Sequence, residues 1–281
     1  MPSRIKDYLI LIAAGLSLST SVPAAQTSSK NLTLLSRSSA GHLEVQLDQS
    51  QRQWIKNKRE LILGTSAPDY PPFDLTLSGH EYEGYTADYA GILGKSTGLT
   101  IKVQRFESRG AAIEALENGE VDLLGTANGF EAHNADIVLS EPYAVDQPVL
   151  VTRENESRSL SNGLAGLRLS MVYHYLPLEE VRAVYPKAII TSYPSYQNAI
   201  NAVAFDQADV FLGDTISTHY MINKGYLNNI RMANFGKHEA QGFSFAVNKN
   251  KSRTARDYQC DADGCPHQRA RKHCQALECW Q

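Results

Sequence analysis

The sequence predicts an α/β protein of two lobes in series with a ligand cleft between them. Short apolar runs alternate with segments of helical periodicity from residue 61, and the same alternation starts again near residue 149. The chain has 281 residues, 42% of them hydrophobic and 20% charged, and a net charge of −3. This balance argues against a disordered chain and against a nucleic-acid partner. Ligands of such folds bind beyond the carboxyl ends of the strands, so we expect the site between the lobes.

Residues 1–25 have the pattern of a secretory signal peptide. Arg4 and Lys6 precede a short apolar stretch from Tyr8 to Leu18, and the small residues Ala24 and Ala25 follow it. The apolar stretch is too short to span a bilayer comfortably, although an uncleaved anchor or a buried helix is the alternative. The sequence therefore predicts a mature protein on the far side of the membrane, and the periplasm is the compartment that the family resemblance described below implies.

Residues 26–60 are predicted to form a leader and a helix. The stretch from Gln26 to about Gly41 is rich in Ser, Thr, Asn and Lys, which is typical of a flexible segment. The helix is expected from Leu47 to Glu60, with Trp54 and Ile55 as its apolar contacts.

Lobe 1 is predicted over residues 61–149 and lobe 2 over residues 150–241, and residues 242–250 return to lobe 1 as a strand. In lobe 1 we expect strands at 61–64, 100–105 and 121–125, helices at 82–98 and 110–118, and a proline-stiffened loop at 67–73. In lobe 2 we expect strands at 149–152, 167–171, 188–191 and 210–213, and helices at 178–184, 196–205 and 216–224.

The order of several short motifs resembles the family 3 bacterial solute-binding proteins, which have the two-lobed Venus-flytrap fold. The resemblance covers about residues 61–249, and its motifs are Ala67-Pro-Asp-Tyr-Pro-Pro-Phe73, Glu83-Gly-Tyr-Thr-Ala-Asp88, Leu116-Glu-Asn-Gly-Glu-Val-Asp122, Ser140-Glu-Pro-Tyr143 and Gln207-Ala-Asp-Val-Phe-Leu-Gly-Asp214. The approach to the first strand, residues 51–60, is similar to the flytraps of BvgS-type hybrid sensor histidine kinases. The long leader indicates the first of their two tandem flytraps. Full-length relatives are dimeric and membrane-anchored, and we expect this chain to lack that anchor, the second flytrap and the kinase.

The resemblance implies a ligand site with half of the usual amino-acid clamp. Ala132 stands where amino-acid-binding members carry the Arg for the ligand carboxylate, and Ala127 and Gly129 stand where hydroxyls are expected. Arg105 and Arg109 are other sources of positive charge, but nothing in the sequence places them. The candidate ligand-binding residues are Tyr70, Phe73, Asn128, Phe130, Tyr173, His174 and Asp214.

Each candidate also has a purely structural interpretation. Asp214, the implied partner of a ligand ammonium, could instead cap the following helix, and Tyr70 and Phe73 could simply pack. Asn128 and Phe130 have a turn role as their alternative, and the bulky Tyr173 and His174 could fill the cleft, leave it closed without ligand, or bind something else. We expect no tight binding of standard amino acids, since an unpaired buried carboxylate costs several kcal/mol. A small polar or cationic solute is the expected ligand, with no cofactor and no metal.

The function predicted from these patterns is solute sensing without catalysis, as a module of a truncated BvgS-type two-component sensor kinase. The alternative is a free periplasmic amino-acid-binding protein of an ABC transporter. The sequence has no His-Glu-x-x-His, Gly-x-Ser-x-Gly, Walker or dinucleotide-binding motif, so no catalytic residue is assigned.

Residues 251–281 form an aberrant tail in place of the family's usual end of lobe 1. All four cysteines lie in it, and apolar periodicity is absent. A reading-frame slip near Lys251 explains this, because synonymous back-translation read one base later gives a family-like Asn-Pro-x-Leu-Leu ending. The rival interpretation, zinc bound by the cysteines with His267 and His273, lacks the usual Cys-x-x-Cys spacing.

Overall fold

The computed structural model describes residues 29–39, 47–225, 227–239 and 241–250. The signal peptide, part of the leader and the tail lie outside these residues. The strands are β1 Ser29–Leu34, β2 Glu60–Ser66, β3 Glu81–Tyr82, β4 Thr100–Phe106, β5 Leu123–Ala127, β6 Ile137–Leu139, β7 Ala144–Asp146, β8 Pro148–Arg153, β9 Arg168–Val172, β10 Ile189–Tyr193, β11 Val210–Asp214, β12 Ile230–Phe235 and β13 Gln241–Asn248. The helices are α1 Gln49–Lys58, α2 Tyr85–Thr97, α3 Arg109–Asn118, α4 Gly129–Ala132, α5 Leu178–Val184, α6 Tyr196–Ala204 and α7 Thr215–Lys224.

Two separate sheets form the cores of the two lobes. The lobe 1 sheet has the order β3-β1-β4-β2-β5-β13-β6, and β7 also pairs with β13. The lobe 2 sheet has the order β10-β9-β11-β8-β12. Parallel pairing joins β2 to β4 and β5, and β9 to β10 and β11, as the β-α-β rhythm predicts.

The prediction of a flexible leader is wrong for residues 29–34. These residues form β1, which pairs antiparallel with β4 and parallel with β3. Leu32 is buried in the lobe 1 core, and its polar neighbours point outward. The segment that follows is fastened to α2, because the Asp88 carboxylate accepts hydrogen bonds from the backbone N–H groups of Arg37 and Ser38.

The strand expected at 121–125 is displaced by two residues to β5. The Asp122 carboxylate accepts hydrogen bonds from Lys58 Nζ at 2.6 Å and from the Ile62 N–H at 2.9 Å, so Asp122 forms a polar junction with the end of α1 and the start of β2. The strand therefore begins after this polar junction. The short strands β3, β6 and β7 and the edge strand β12 lack a clear apolar alternation and were not predicted.

The chain crosses between the lobes at two adjacent places. The first crossing runs from β7 to β8 through Gln147, and the second runs from β12 to β13. Asp146 at the end of β7 pairs with Gln241 at the start of β13, so the two crossings lie side by side. No helix in the described part of the chain is long and apolar enough to cross a membrane.

Candidate ligand cleft

The loop after β2 carries two aromatic side chains from lobe 1 into lobe 2. Asp69 anchors the loop, since its carboxylate accepts hydrogen bonds from Arg105 Nη2 at 2.6 Å and from the Thr76 N–H at 2.7 Å. Tyr70 and Phe73 are buried, and both belong to the apolar cluster built mainly from lobe 2 residues. The cleft is therefore closed, with lobe 1 side chains inside it.

The hydroxyl of Tyr70 reaches Asp214 at the far side of the cleft. Tyr70 Oη donates to Asp214 Oδ2 at 3.0 Å, and Asp214 Oδ1 accepts the Ser217 N–H at 2.6 Å as the N-cap of α7. Burial raises the pKa of Asp214, and the hydrogen bonds from Ser217 and Tyr70 oppose that rise. Burial also raises the pKa of Tyr70, so its phenol stays a donor. Asp214 therefore has the capping role given above as its alternative, and its other oxygen binds Tyr70 of lobe 1.

Rings surround Tyr70 on several sides. Its ring centroid lies 5.2 Å from that of Tyr196, 5.6 Å from that of His174 and 5.7 Å from that of Phe243. Such separations are those of favourable edge and tilted aromatic pairs. Phe73 packs behind Tyr70, with its centroid 4.2 Å from Phe243. Tyr70 therefore fills an aromatic pocket whose polar end is Asp214.

A second buried carboxylate, Asp146, lies where the chain crosses between the lobes. Tyr175 Oη donates to Asp146 Oδ1 at 2.9 Å. Burial raises the pKa of Asp146, and the negative charge of Asp214 raises it further. The Thr215 N–H donates to the Gln147 carbonyl at 3.0 Å, which holds this crossing against the start of α7.

The lobe 1 face of the cleft is a network of hydroxyl groups. The Thr126 N–H, at the carboxyl end of β5, donates to Tyr143 Oη at 2.8 Å. The Thr86 hydroxyl lies 2.8 Å from Thr126 Oγ1 and 2.9 Å from Tyr143 Oη. Thr126 has a φ of +53°, a strained value for a β-branched residue. The Thr126 backbone donor at this strand end is thus already taken by a tyrosine of the protein.

The two arginines that could supply positive charge to the cleft, Arg105 and Arg109, are both bound to carboxylates of the protein. Arg109 is buried, and it donates from Nε to Glu131 Oε1 at 2.6 Å and from Nη1 to the Gly125 carbonyl at 2.9 Å. Arg105 pairs with Asp69 in the loop. Ala132, by contrast, is exposed at the end of α4. Neither arginine therefore replaces the guanidinium that the sequence lacks at residue 132.

Comparison with known proteins identifies the fold. Residues 61–259 match the model of the bacterial extracellular solute-binding proteins, family 3. The chain belongs to this family. It is 40% identical over 233 residues to the virulence sensor protein BvgS of Bordetella pertussis, an alignment that covers 83% of this chain and 19% of BvgS. The chain thus spans about a fifth of the length of the curated sensor relatives it matches.

A solved structure and a transport-type relative extend the comparison. The crystal structure of the B. pertussis BvgS periplasmic domain matches with a TM-score of 0.70 and 40% identity, covering 81% of this chain and 44% of that one. An arginine-binding periplasmic protein of Mannheimia haemolytica is 27% identical over 150 residues, which is 52% of this chain and 60% of that protein. The Venus-flytrap architecture predicted from the motifs is confirmed.

At the rim of the cleft the two lobes of this family 3 member touch again. Phe130 and Tyr173 form an edge-to-face pair with centroids 6.2 Å apart. His133 Nε2 lies 2.9 Å from Glu180 Oε1, and both side chains are substantially exposed. These contacts join α4 and the turn after it to α5 and the loop before it.

The predicted site residues fall into three groups. Tyr70, Phe73, His174 and Asp214 meet at the centre, and Phe130 and Tyr173 meet at the rim. Asn128 caps α4 by accepting the Phe130 N–H at 2.9 Å, which is the turn role given above as its alternative. His174 is buried beside Tyr70, and burial together with the Arg109 charge lowers its pKa to about 3.

Sequence reasoning missed four residues of the cleft: Tyr143, Asp146, Tyr196 and Phe243. Tyr143 and Asp146 lie in or just after the Ser140–Tyr143 motif, which was read only as a family signature. Tyr196 opens a helix of apolar periodicity and resembled an ordinary core residue. Tyr196 and Asp146 are distinguished from packing residues by contacts to the opposite lobe, and Phe243 and Tyr143 by their ring and hydroxyl contacts within lobe 1.

Proposed function

We propose that this chain is the solute-sensing part of a BvgS-type two-component sensor, located in the periplasm and acting without catalysis. The observation that carries the proposal is the closure of the cleft by a side chain of the protein, since the Tyr70 hydroxyl donates to Asp214 across it. A domain closed on its own side chain has two states, and a solute can shift it only by favouring one of them. Such a switch suits signal perception.

Closure on a side chain is poorly suited to solute capture for transport. A solute must first displace Tyr70, so its apparent affinity falls by the fraction of molecules that are open. Transport of an amino acid also needs a partner for the α-carboxylate. In the described residues, the nearby guanidinium of Arg109 is bound to Glu131, and the Thr126 N–H is bound to Tyr143. The similarity to BvgS, stronger than that to the arginine-binding protein, supports the same choice.

The alternative remains a free amino-acid-binding protein of an ABC transporter. Its support is the likeness to the arginine-binding protein and the placement of Asp214 at the end of β11. The DNA beside the gene distinguishes the two. Sensing predicts neighbouring sequence that encodes a second flytrap, a membrane helix and a histidine-kinase core, whereas transport predicts a permease and an ATPase.

A cell-based experiment tests the proposed function directly. The gene is deleted, and uptake of labelled arginine and glutamine is measured beside the genome-wide transcript profile. Sensing predicts unchanged uptake and an altered transcript profile, which the wild-type gene restores. Loss of uptake with an unchanged profile would contradict sensing and support transport.

A further inference from the structure

We propose that Tyr70 is the built-in occupant of a ligand pocket, and that the solute recognised here is a small aromatic molecule with one hydrogen-bond-donating group, an arylalkylamine or a phenol. This inference names the ligand class of the cleft in the proposed function, and it rests on that function only in assuming that solutes enter this cleft. Its basis is the fit between Tyr70 and the surfaces that enclose it.

The pocket and its occupant come from different parts of the fold. Tyr70 belongs to a lobe 1 loop, whereas His174, Tyr196 and Asp214 belong to lobe 2. Phe243 lies on β13, next to the crossing between the lobes. When the lobes separate, Tyr70 leaves with lobe 1, and the pocket keeps its lobe 2 rings and its carboxylate. A free molecule with the shape of the Tyr70 side chain would then meet Tyr196, His174 and Asp214 in its place.

The enclosed surfaces specify both ends of such a molecule. The lobe 2 rings of Tyr196 and His174, 5.2 and 5.6 Å from the Tyr70 centroid, favour a flat aromatic body. At the other end Asp214 Oδ2 accepts the Tyr70 hydroxyl, so the ligand needs a donor at that point. An ammonium adds charge complementarity to Asp214, which forms no ion pair with the side chains that the structure describes.

Anionic solutes are excluded by the same residues. Asp146 and Asp214 are both buried here, and the charge of Asp214 already raises the pKa of Asp146, so Asp214 would repel the carboxylate of a benzoate or an amino acid in the same way. In the part of the chain that the structure describes, Arg109 is the buried guanidinium near the cleft, and it is bound to Glu131. The pocket therefore favours solutes with a hydrogen-bond donor over solutes with an anionic acceptor.

Competition with Tyr70 sets the expected affinities. A tethered side chain has a high effective concentration, so a free ring binds weakly while Tyr70 is present. Removing the Tyr70 ring takes away the competitor and leaves the rings and Asp214. We therefore expect Tyr70→Ala to bind phenol and benzylamine on the order of tenfold or more tightly than the wild type does.

The test is isothermal titration of the full chain with phenol, benzylamine and benzoate. It compares the wild type, Tyr70→Ala and the control Tyr185→Ala, with circular dichroism as the check on folding. Tyr185 is a buried lobe 2 tyrosine whose hydroxyl accepts a backbone N–H from Lys237 at 3.0 Å. The proposal expects phenol and benzylamine to bind Tyr70→Ala, benzoate not to bind, and Tyr185→Ala to bind none of the three.

Three results would overturn the proposal: no binding of phenol or benzylamine by folded Tyr70→Ala, equal binding of benzoate, or equal binding by Tyr185→Ala. If Tyr70→Ala does not fold, Tyr70→Leu serves in its place, because it removes the ring and keeps an apolar contact. When Asp214→Asn is added to Tyr70→Ala, the affinity for benzylamine must fall more than the affinity for phenol. The two proposals can fail separately. If neither phenol nor benzylamine binds but the deletion strain has an altered transcript profile, the ligand class is refuted and the sensing function is still supported.

Discussion

The centre and the rim of the cleft join the same two lobes by contacts of very different burial. At the centre, Tyr70 is 4% exposed and Asp214 is not exposed at all. At the rim, the His133 and Glu180 side chains are 52% and 38% exposed. Water competes for the rim contacts and not for the central ones. A hydrogen bond of the same length therefore stabilises the closed state less at the rim than at the centre. Closure should depend on the centre.

The largest expected effect comes from Tyr70→Ala. Truncating a large buried aromatic side chain costs about 3–5 kcal/mol, because apolar burial is lost and a cavity remains. Urea unfolding of the variant should show that loss in the free energy of unfolding. Tyr173→Ala is the matched rim control, since Tyr173 is only partly buried and its contact with Phe130 lies at the surface. A larger loss for Tyr173→Ala would reverse the ranking of centre and rim.

The next effect is that of Tyr70→Phe, which keeps the ring and removes the hydroxyl. Asp214 Oδ2 then loses its donor inside the closed cleft, at a cost of about 1–3 kcal/mol. A double-mutant cycle with Asp214→Asn isolates this contact, because the two residues are hydrogen-bonded partners. Additive losses in the double variant would show that the hydroxyl and the carboxylate do not interact in solution.

A third prediction concerns pH and Asp146. Burial and the Asp214 charge raise the folded-state pKa of Asp146, so the folded protein holds a proton that the unfolded chain releases above about pH 4. This group therefore makes the protein less stable as pH rises from the ordinary carboxyl range toward its raised pKa. Asp146→Asn removes that loss, which we expect to be on the order of 1–2 kcal/mol between pH 5 and pH 8.

Other groups titrate in the opposite direction, so the measurement is a difference between proteins. Burial and the charge of Arg109 lower the pKa of His174 in the folded protein. The free energy of unfolding therefore falls as the pH drops below the ordinary pKa of a histidine. His174 is present in both proteins. Thermal unfolding should show that the melting temperature of Asp146→Asn, relative to that of the wild type, is higher at pH 8 than at pH 5. A constant difference between the two melting temperatures would contradict the raised pKa.

The smallest effect is expected at the rim with His133→Gln. The exposed contact with Glu180 contributes at most about 0.5 kcal/mol, because water competes for both side chains. Chemical unfolding at low and high ionic strength should barely separate the variant from the wild type. A loss as large as that of Tyr70→Phe would show that the rim, and not the centre, holds the lobes together.

Local features of the cleft were predictable, whereas the contact between Tyr70 and Asp214 that closes it was not. Asp214 before Thr215 has the pattern of an N-cap, and Gly98 has that of a helix end, since each depends on neighbouring residues. The Tyr70 to Asp214 bond joins residues 144 positions apart, and no periodicity records such a pair. Strand β1 escaped prediction because its core contact rests on Leu32 among polar residues.

The most direct test of the account is the size of the protein in solution without solute. Small-angle X-ray scattering of the full-length wild type and of Tyr70→Ala compares the two radii of gyration under the same conditions. If Tyr70 holds the lobes closed, the variant has the larger radius, and phenol or benzylamine returns it to the wild-type value. Equal radii for the two proteins without solute would show that Tyr70 does not close the cleft.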